Sequence, residues 1–157
     1  MIGVPGSGKS TYAKSVLKDG DIYISRDEIR YSLLTEEDDY FAKEKEVIKT
    51  FIDNIDKSLV NGEYCGDVYA DATHLSPKSR AQVLNQLKNK DKVSAIYLDI
   101  PLDLILERNA QRKGRALVPE NVVRRMYNSI ILPTKAEGIE ELIIIDENQK
   151  VKEVRKL

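Results

Sequence analysis

Eight residues near the start of the chain, Gly3-Val4-Pro5-Gly6-Ser7-Gly8-Lys9-Ser10, carry the spacing G-x-x-x-x-G-K-[ST]. Glycines at these intervals let the backbone curl until successive N–H groups face one concavity, with a helix N-terminus behind it. Such a nest grips the α- and β-phosphates of a nucleotide. Lys9 then reaches the β- and γ-phosphates, and the Ser10 hydroxyl opens the helix where it would ligate Mg²⁺. Gly3, Pro5, Gly6, Ser7, Gly8, Lys9, Ser10 and Thr11 are therefore the expected nucleotide contacts, and ATP and Mg²⁺ the expected cofactors.

Three further groups have the chemistry to act on a phosphate held at Lys9. In Arg26-Asp27-Glu28-Ile29-Arg30, Asp27 and Arg30 are three apart on one helical face, placing a base and a cation at an acceptor hydroxyl. The same spacing also suits a plain surface ion pair beside a helix cap. Asp71 ends an apolar stretch, where a carboxylate holds Mg²⁺ or positions the acceptor, or merely caps a turn. Arg108 and Arg112 are four apart and expected to share a face, while Gly114 lets the following loop bend over the phosphates as a lid. Guanidinium groups suit the charge spread over a metaphosphate-like transition state, although a solvated basic face reads the same way. His74 is read as a hydrogen-bonding loop residue and the run Glu36-Glu37-Asp38-Asp39 as a solvated loop.

The elements that must position these groups alternate. A helix is expected over residues 11–18, a strand over 22–24, and a helix from the Ser25-x-x-Glu28 capping box through Leu34. Ile48, Phe51, Ile52, Ile55 and Leu59 recur at helical spacing within 40–61, a long amphipathic helix stopped by Gly62. A strand over 68–71 leads to the Ser76-Pro77 N-cap of a helix with Val83, Leu84 and Leu87 on its apolar face. A strand over 93–100 ends at Pro101, helices follow it and Pro119, and 141–145 forms a last strand before a charged tail. This alternation predicts an α/β fold with a parallel sheet, helices on both faces and a site at the strand C-termini. One feature is out of keeping: a phosphate loop follows a buried strand, and only Met1 and Ile2 stand before this one. The first strand is thus expected to be truncated, a few N-terminal residues having been lost.

At 157 residues and 41% hydrophobic composition, residues 1–157 suit one domain with one core. A net charge of −1 with 32% charged residues excludes a surface-wide basic field for long nucleic acid, so any such grip is local. The apolar run over 142–145 is far too short to span a bilayer, and no signal segment opens the chain, so a cytoplasmic protein with no membrane partner is expected. Cys65, the single cysteine, excludes an intrachain disulfide. Oligomeric state is not legible.

In order along the chain, Gly3-Val4-Pro5-Gly6-Ser7-Gly8-Lys9-Ser10-Thr11, Ser25-Arg26-Asp27-Glu28-Ile29-Arg30, Tyr69-Ala70-Asp71-Ala72-Thr73, Arg108-Asn109-Ala110-Gln111-Arg112 and Val118-Pro119 resemble the kinase domain of phage-type polynucleotide 5′-hydroxyl kinases. The resemblance covers residues 2–131. It implies a three-layer P-loop kinase fold with an Arg-bearing lid, and transfer of the γ-phosphate of ATP to the 5′-hydroxyl end of a nucleic acid. It matches Asp27 to the general base, Arg30 to the acceptor-side arginine, and Lys9 and Ser10 to the phosphate lysine and the magnesium-side hydroxyl. Arg112 matches the lid arginine on the transferring phosphate, Arg108 a nucleotide contact, and Asp71 a functional acidic position. The lid from Arg112 to Pro119 is slightly longer than the family's. Two other readings stay open: a kinase for a small-molecule or nucleoside hydroxyl, and a nucleotide-binding fragment without turnover.

Overall fold

Capping and turn chemistry set the element boundaries. The computed structural model describes residues 1–60 and 66–157. Gly8, in the left-handed conformation, opens α1 (Lys9–Val16), and β1 (Ile22–Ser25) runs directly into α2 (Arg26–Leu33). Ser25 Oγ accepts from the Glu28 amide at 3.2 Å, so half of the expected capping box forms. The other half does not, because the Glu28 carboxylate pairs with Lys14 instead, at 2.9 Å. Helix α3 (Glu44–Val60) starts four residues later than its apolar spacing suggests, since residues 40–43 form turns. Tyr40 is drawn back to Asp27, and Lys43 Nζ donates to the Leu33 carbonyl at 2.6 Å. The stop at Gly62, and Cys65, lie outside the described residues.

Strand β2 (Val68–Asp71) is followed by α4 (Pro77–Leu84), which carries Pro77 in its first turn and a Ser76/Ser79 capping box. Leu87 lies beyond the end of α4, yet it still packs with Phe51, Ile55 and Val83. Then come β3 (Ser94–Leu98), α5 (Leu102–Ala110), α6 (Glu120–Asn128), β4 (Glu141–Ile145) and β5 (Val151–Lys156). Two expectations are corrected here. The charged tail is strand β5, antiparallel to β4 at the sheet edge, so the sheet is mixed rather than all parallel. Its residues are exposed throughout, and an edge strand rich in Lys, Glu and Arg lacks the apolar alternation that would announce it. Arg112, in turn, lies past the end of α5, so it does not share a helical face with Arg108.

β1 pairs in parallel with β2, and β3 in parallel with β4. The two halves are joined by residues 1–3. On the β3 side, the Ile2 amide donates to Ile96 O at 2.7 Å and Ile2 O accepts from Leu98 N at 3.1 Å; on the β2 side, the Gly3 amide donates to Thr73 O at 3.1 Å. The Met1 α-amine donates to Ala70 O at 3.0 Å, and burial pushes its pKa down to about 6. The spatial order is thus β1, β2, residues 1–3, β3, β4, β5. Beside Met1, an elongated cavity of about 690 Å³ separates the facing edges of β2 (Val68, Tyr69) and β3 (Ser94, Ala95). In place of a first strand, Ile2 makes an isolated parallel bridge to Tyr97.

Side-chain alternation on β4 sends Ile145 into a cluster with Val4, Tyr12, Ile105 and Val123, and Leu142 and Ile144 into another with Ile2 and Ala95. Helices α1, α5 and α6 cover the first face; Leu84 links the second to the α3 and α4 cluster. Helices on both faces of the sheet follow from that division. No helix among the described residues is long and apolar enough to cross a membrane.

His74, read as a hydrogen-bonding loop residue, is 8% exposed, with Nδ1 3.0 Å from Met1 O and Nε2 without a partner among the described residues. Burial, reinforced by the nearby N-terminal amine, pushes its pKa down to about 3. Below pH 6.5 the unfolded chain binds a proton that the folded chain refuses until pH 3, so stability falls as pH drops through that window, by roughly 5 kcal/mol in all. His74→Asn keeps a residue tolerant of the left-handed backbone here (φ 45°). Urea unfolding between pH 7 and 4 should show a shallower loss for that variant than for the parent; parallel curves would refute the assignment.

Candidate active site

The phosphate loop closes over the N-terminus of α1 because two of its glycines take conformations closed to other residues. Gly6 has φ 87°, and a Cβ there would lie 2.7 Å from the Ile105 carbonyl of α5. Gly8 has φ 88°, with Arg108 Nη1 3.7 Å and Gln149 Nε2 3.8 Å from the place a Cβ would take. Arg108 thus lies against the loop, and Nη2 reaches the Glu147 carbonyl at 3.5 Å. Val4 and Ser7 are fully buried, and Ser7 Oγ has no partner among the described residues. An orphaned hydroxyl inside a glycine cradle fits a phosphate oxygen.

Lys9 Nζ donates to Val4 O at 3.2 Å, folding back over its own loop. Burial pushes its pKa down; the Asp71 and then the Asp27 carboxylate push it back up, and Arg112 adds to the lowering. Asp71, Asp27 and Arg112 therefore all lie within electrostatic reach of this one ammonium, although they come from β2, α2 and the segment after α5.

Asp71, 5% exposed, accepts from Ser10 Oγ at 2.5 Å and from the Tyr23 hydroxyl at 2.7 Å. Tyr23, which sequence reasoning passed over as a plain strand residue, is pushed up to about 12, first by burial. It stays a phenol and donates. A serine hydroxyl beside one carboxylate is a hard-oxygen pair of the kind that holds Mg²⁺ with phosphate oxygens and water, so Ser10 and Asp71 fit that ion. No cluster of three or more metal-ligating side chains occurs among the described residues. Thr11 is exposed in the first turn of α1, and Pro5 is half-buried in the loop.

Asp27 lies in the first turn of α2 with its side chain 58% exposed. Oδ1 accepts from Arg30 Nη1 at 2.7 Å and from the Tyr40 hydroxyl at 3.1 Å, leaving Oδ2 without a partner among the described residues. Arg30 is buried: beyond Asp27 it bonds the Tyr40 oxygen at 3.0 Å and Glu44 Oε2 at 2.6 Å, and its guanidinium stacks 4.5 Å from the Tyr40 ring centre. Glu44 also pairs with Arg26. Tyr40 is pushed up to about 12, by burial and then by Asp27, and so remains a donor. Neither Tyr40 nor Glu44 was legible, because both lie in a stretch that reads as helix start.

After α5, the lid spans 111–118 and is pinned at both ends by Asn109: its Nδ2 donates to Val118 O at 2.7 Å, and its Oδ1 accepts from Val118 N at 3.3 Å. Asn109 is 4% exposed. Its place between Arg108 and Ala110 gave no sign of this.

A glycine-rich loop between parallel strands, a Ser–Asp pair beside it and a pinned basic lid define a P-loop kinase fold. Residues 1–133 match the family described as AAA domain, and the chain belongs to it. Among curated proteins it is 26% identical over 151 residues to an adenylate kinase of Thermotoga neapolitana, covering 88% of this chain and 66% of that one. It is 27% identical over 143 residues to a candidate bifunctional polynucleotide kinase/RNA ligase of Autographa californica nuclear polyhedrosis virus, covering 83% of this chain and 20% of that one. The fold is similar to that of a sugar kinase from Janibacter sp. HTCC2649, with TM-score 0.63 and 19% identity, covering 95% and 84% of the two chains. The chain spans less than two thirds of the length of these curated relatives.

Gly6→Ala combines a forbidden backbone angle with a clash against Ile105 O, costing on the order of 2 kcal/mol or more. Thermal unfolding should shift down by several degrees, and titration with an ATP analogue should show at least tenfold weaker binding; unchanged affinity would refute the cradle.

Proposed function

We propose that this protein is an ATP-dependent kinase that transfers the γ-phosphate to the 5′-hydroxyl end of a polynucleotide. Asp27 carries the reading: an exposed carboxylate, oriented through one oxygen by Arg30 and Tyr40, whose charge acts on the phosphate-loop lysine. A hydroxyl hydrogen-bonded to the other oxygen stands beside a γ-phosphate held at Lys9. As its oxygen attacks phosphorus, the proton passes to Asp27, the bond to the bridging oxygen breaks and ADP departs. Lys9 and Arg112 neutralise charge on the phosphoryl oxygens, and Arg108 holds the nucleotide against Gly8. Mg²⁺, held by Ser10 and Asp71, would supply further charge neutralisation at the phosphates. Arg30 is already shared among Asp27, Tyr40 and Glu44, so its part on the acceptor side is to hold the base.

A polymer end suits the approach better than a small enclosed substrate. Asp27 opens outward, and Tyr31 and Phe41 nearby are 42% and 67% exposed, offering ring faces on which bases stack. The likeness to the viral relative and the ordered motifs point the same way.

Incubation with γ-labelled ATP and a 5′-hydroxyl oligonucleotide should label the 5′ end. Asp27→Asn, which preserves shape, should lower kcat by about 10³-fold while ATP affinity stays within a few-fold. Undiminished transfer by that variant would remove the base assignment. Labelling of sugars, nucleosides or adenylate with oligonucleotides ignored would overturn the acceptor.

A further inference from the structure

One lid side chain reaches across to the acceptor side. Arg115, in the single turn Gly114–Ala116, donates from Nη1 to Thr35 O at 3.0 Å and from Nη2 to Glu36 O at 2.7 Å and Asp38 O at 2.8 Å. Three backbone carbonyls of one short stretch thus converge on a single guanidinium some 80 residues away in sequence. The stretch is itself a closed turn: Asp38 Oδ2 accepts from the Thr35 amide at 2.8 Å and from its hydroxyl at 3.0 Å. Two residues further on, Tyr40 donates to Asp27 and its ring covers Arg30. Arg112 stands three residues before Arg115, and ahead of it Arg108, in the last turn of α5, lies against Gly8 of the phosphate loop. Contacts therefore lead from Arg115 of the lid through residues 35–38 to Tyr40 and the Asp27 carboxylate.

We propose that Arg115 is a positioning residue that makes closure of the lid over the nucleotide and the setting of Asp27 one event. The inference rests on the reading of Asp27 as the proton acceptor. A planar fork with several donors can serve three carbonyls at once, which the compact ammonium of a lysine cannot do equally well. The contact is exposed, so water can replace each bond at little cost, as a latch that opens for every turnover requires. The stretch that meets Arg115 is acidic in sequence, Glu36-Glu37-Asp38-Asp39, and the lid carries Arg112, Lys113 and Arg115, so their net charges are opposite.

Hydrogen exchange with and without a non-hydrolysable ATP analogue tests this without any acceptor. In the parent chain the analogue should slow exchange in residues 34–41 by about tenfold. Arg115→Ala should abolish that slowing while protection of the phosphate loop persists, and Arg115→Lys should restore part of it. Equal slowing in the alanine variant, or none in the parent, overturns the proposal. With oligonucleotide as acceptor, Arg115→Ala should raise the acceptor KM by about tenfold and leave the ATP KM within about twofold; equal rises in both would mark a merely structural role and overturn it as well. Failure of the parent to phosphorylate oligonucleotides would sink the polynucleotide reading alone, because the exchange result decides the latch independently.

Discussion

The whole site depends on residues 1–3 fixing the distance between the two halves of the sheet. Their backbone bonds to Ala70, Thr73, Ile96 and Leu98 are the links that place Asp71 on one side of the phosphate loop and the β3 and α5 segment on the other. Each such bond contributes only about 1 kcal/mol net. The neighbouring side chains contribute more: Ile2 is 1% exposed and Val4 is fully buried, each adding roughly 2 kcal/mol of burial. Apolar packing therefore holds the loop in place and the hydrogen bonds set its register. A loop anchored this way transmits any shift of β2 against β3 directly to Lys9.

Electrostatics around that lysine set what a bound nucleotide would have to offset. Without a nucleotide, Asp71 and Asp27 supply counter-charge to the desolvated ammonium. A triphosphate entering the cradle brings several negative charges next to both carboxylates. Lys9, Arg108 and Arg112 would offset part of this, and a divalent cation held by Ser10 and Asp71 would neutralise more of it. Tyr23, kept protonated, matters for the same reason: it donates to Asp71 and adds no further negative charge.

Much of this was legible in the sequence. The loop spacing, the Ser76-Pro77 cap and the carboxylate ending β2 each rest on local chemistry that tertiary structure does not override. The Asp27–Arg30 ion pair was legible for the same reason, since a three-residue spacing within one helix fixes their meeting. What escaped was long-range or unpatterned. β5 has no apolar alternation because neither of its faces is buried. Tyr40, Glu44 and Asn109 act through partners set by folds of the chain around them, and nothing in their immediate neighbours marks them. The pairing of Arg108 with Arg112 failed at a boundary: α5 ends at Ala110, so a four-residue interval no longer meant a shared face.

Acceptor choice has to reside outside the phosphate loop, and residues 34–44 are where this chain spends its charge. On the proposed reading, a polyanionic end approaching Asp27 would pass the acidic run at 36–39, a repulsion that acts over about 10 Å at moderate salt. Arg115 on the adjoining carbonyls, with Lys43 3.5 Å from Asp38, offsets part of that field while the lid is closed. With the lid open, the segment presents net negative charge. Under the proposed reading, a nucleic-acid end would be admitted in proportion to lid closure, which would link nucleotide and acceptor occupancy through charge before either reaches the reacting atoms.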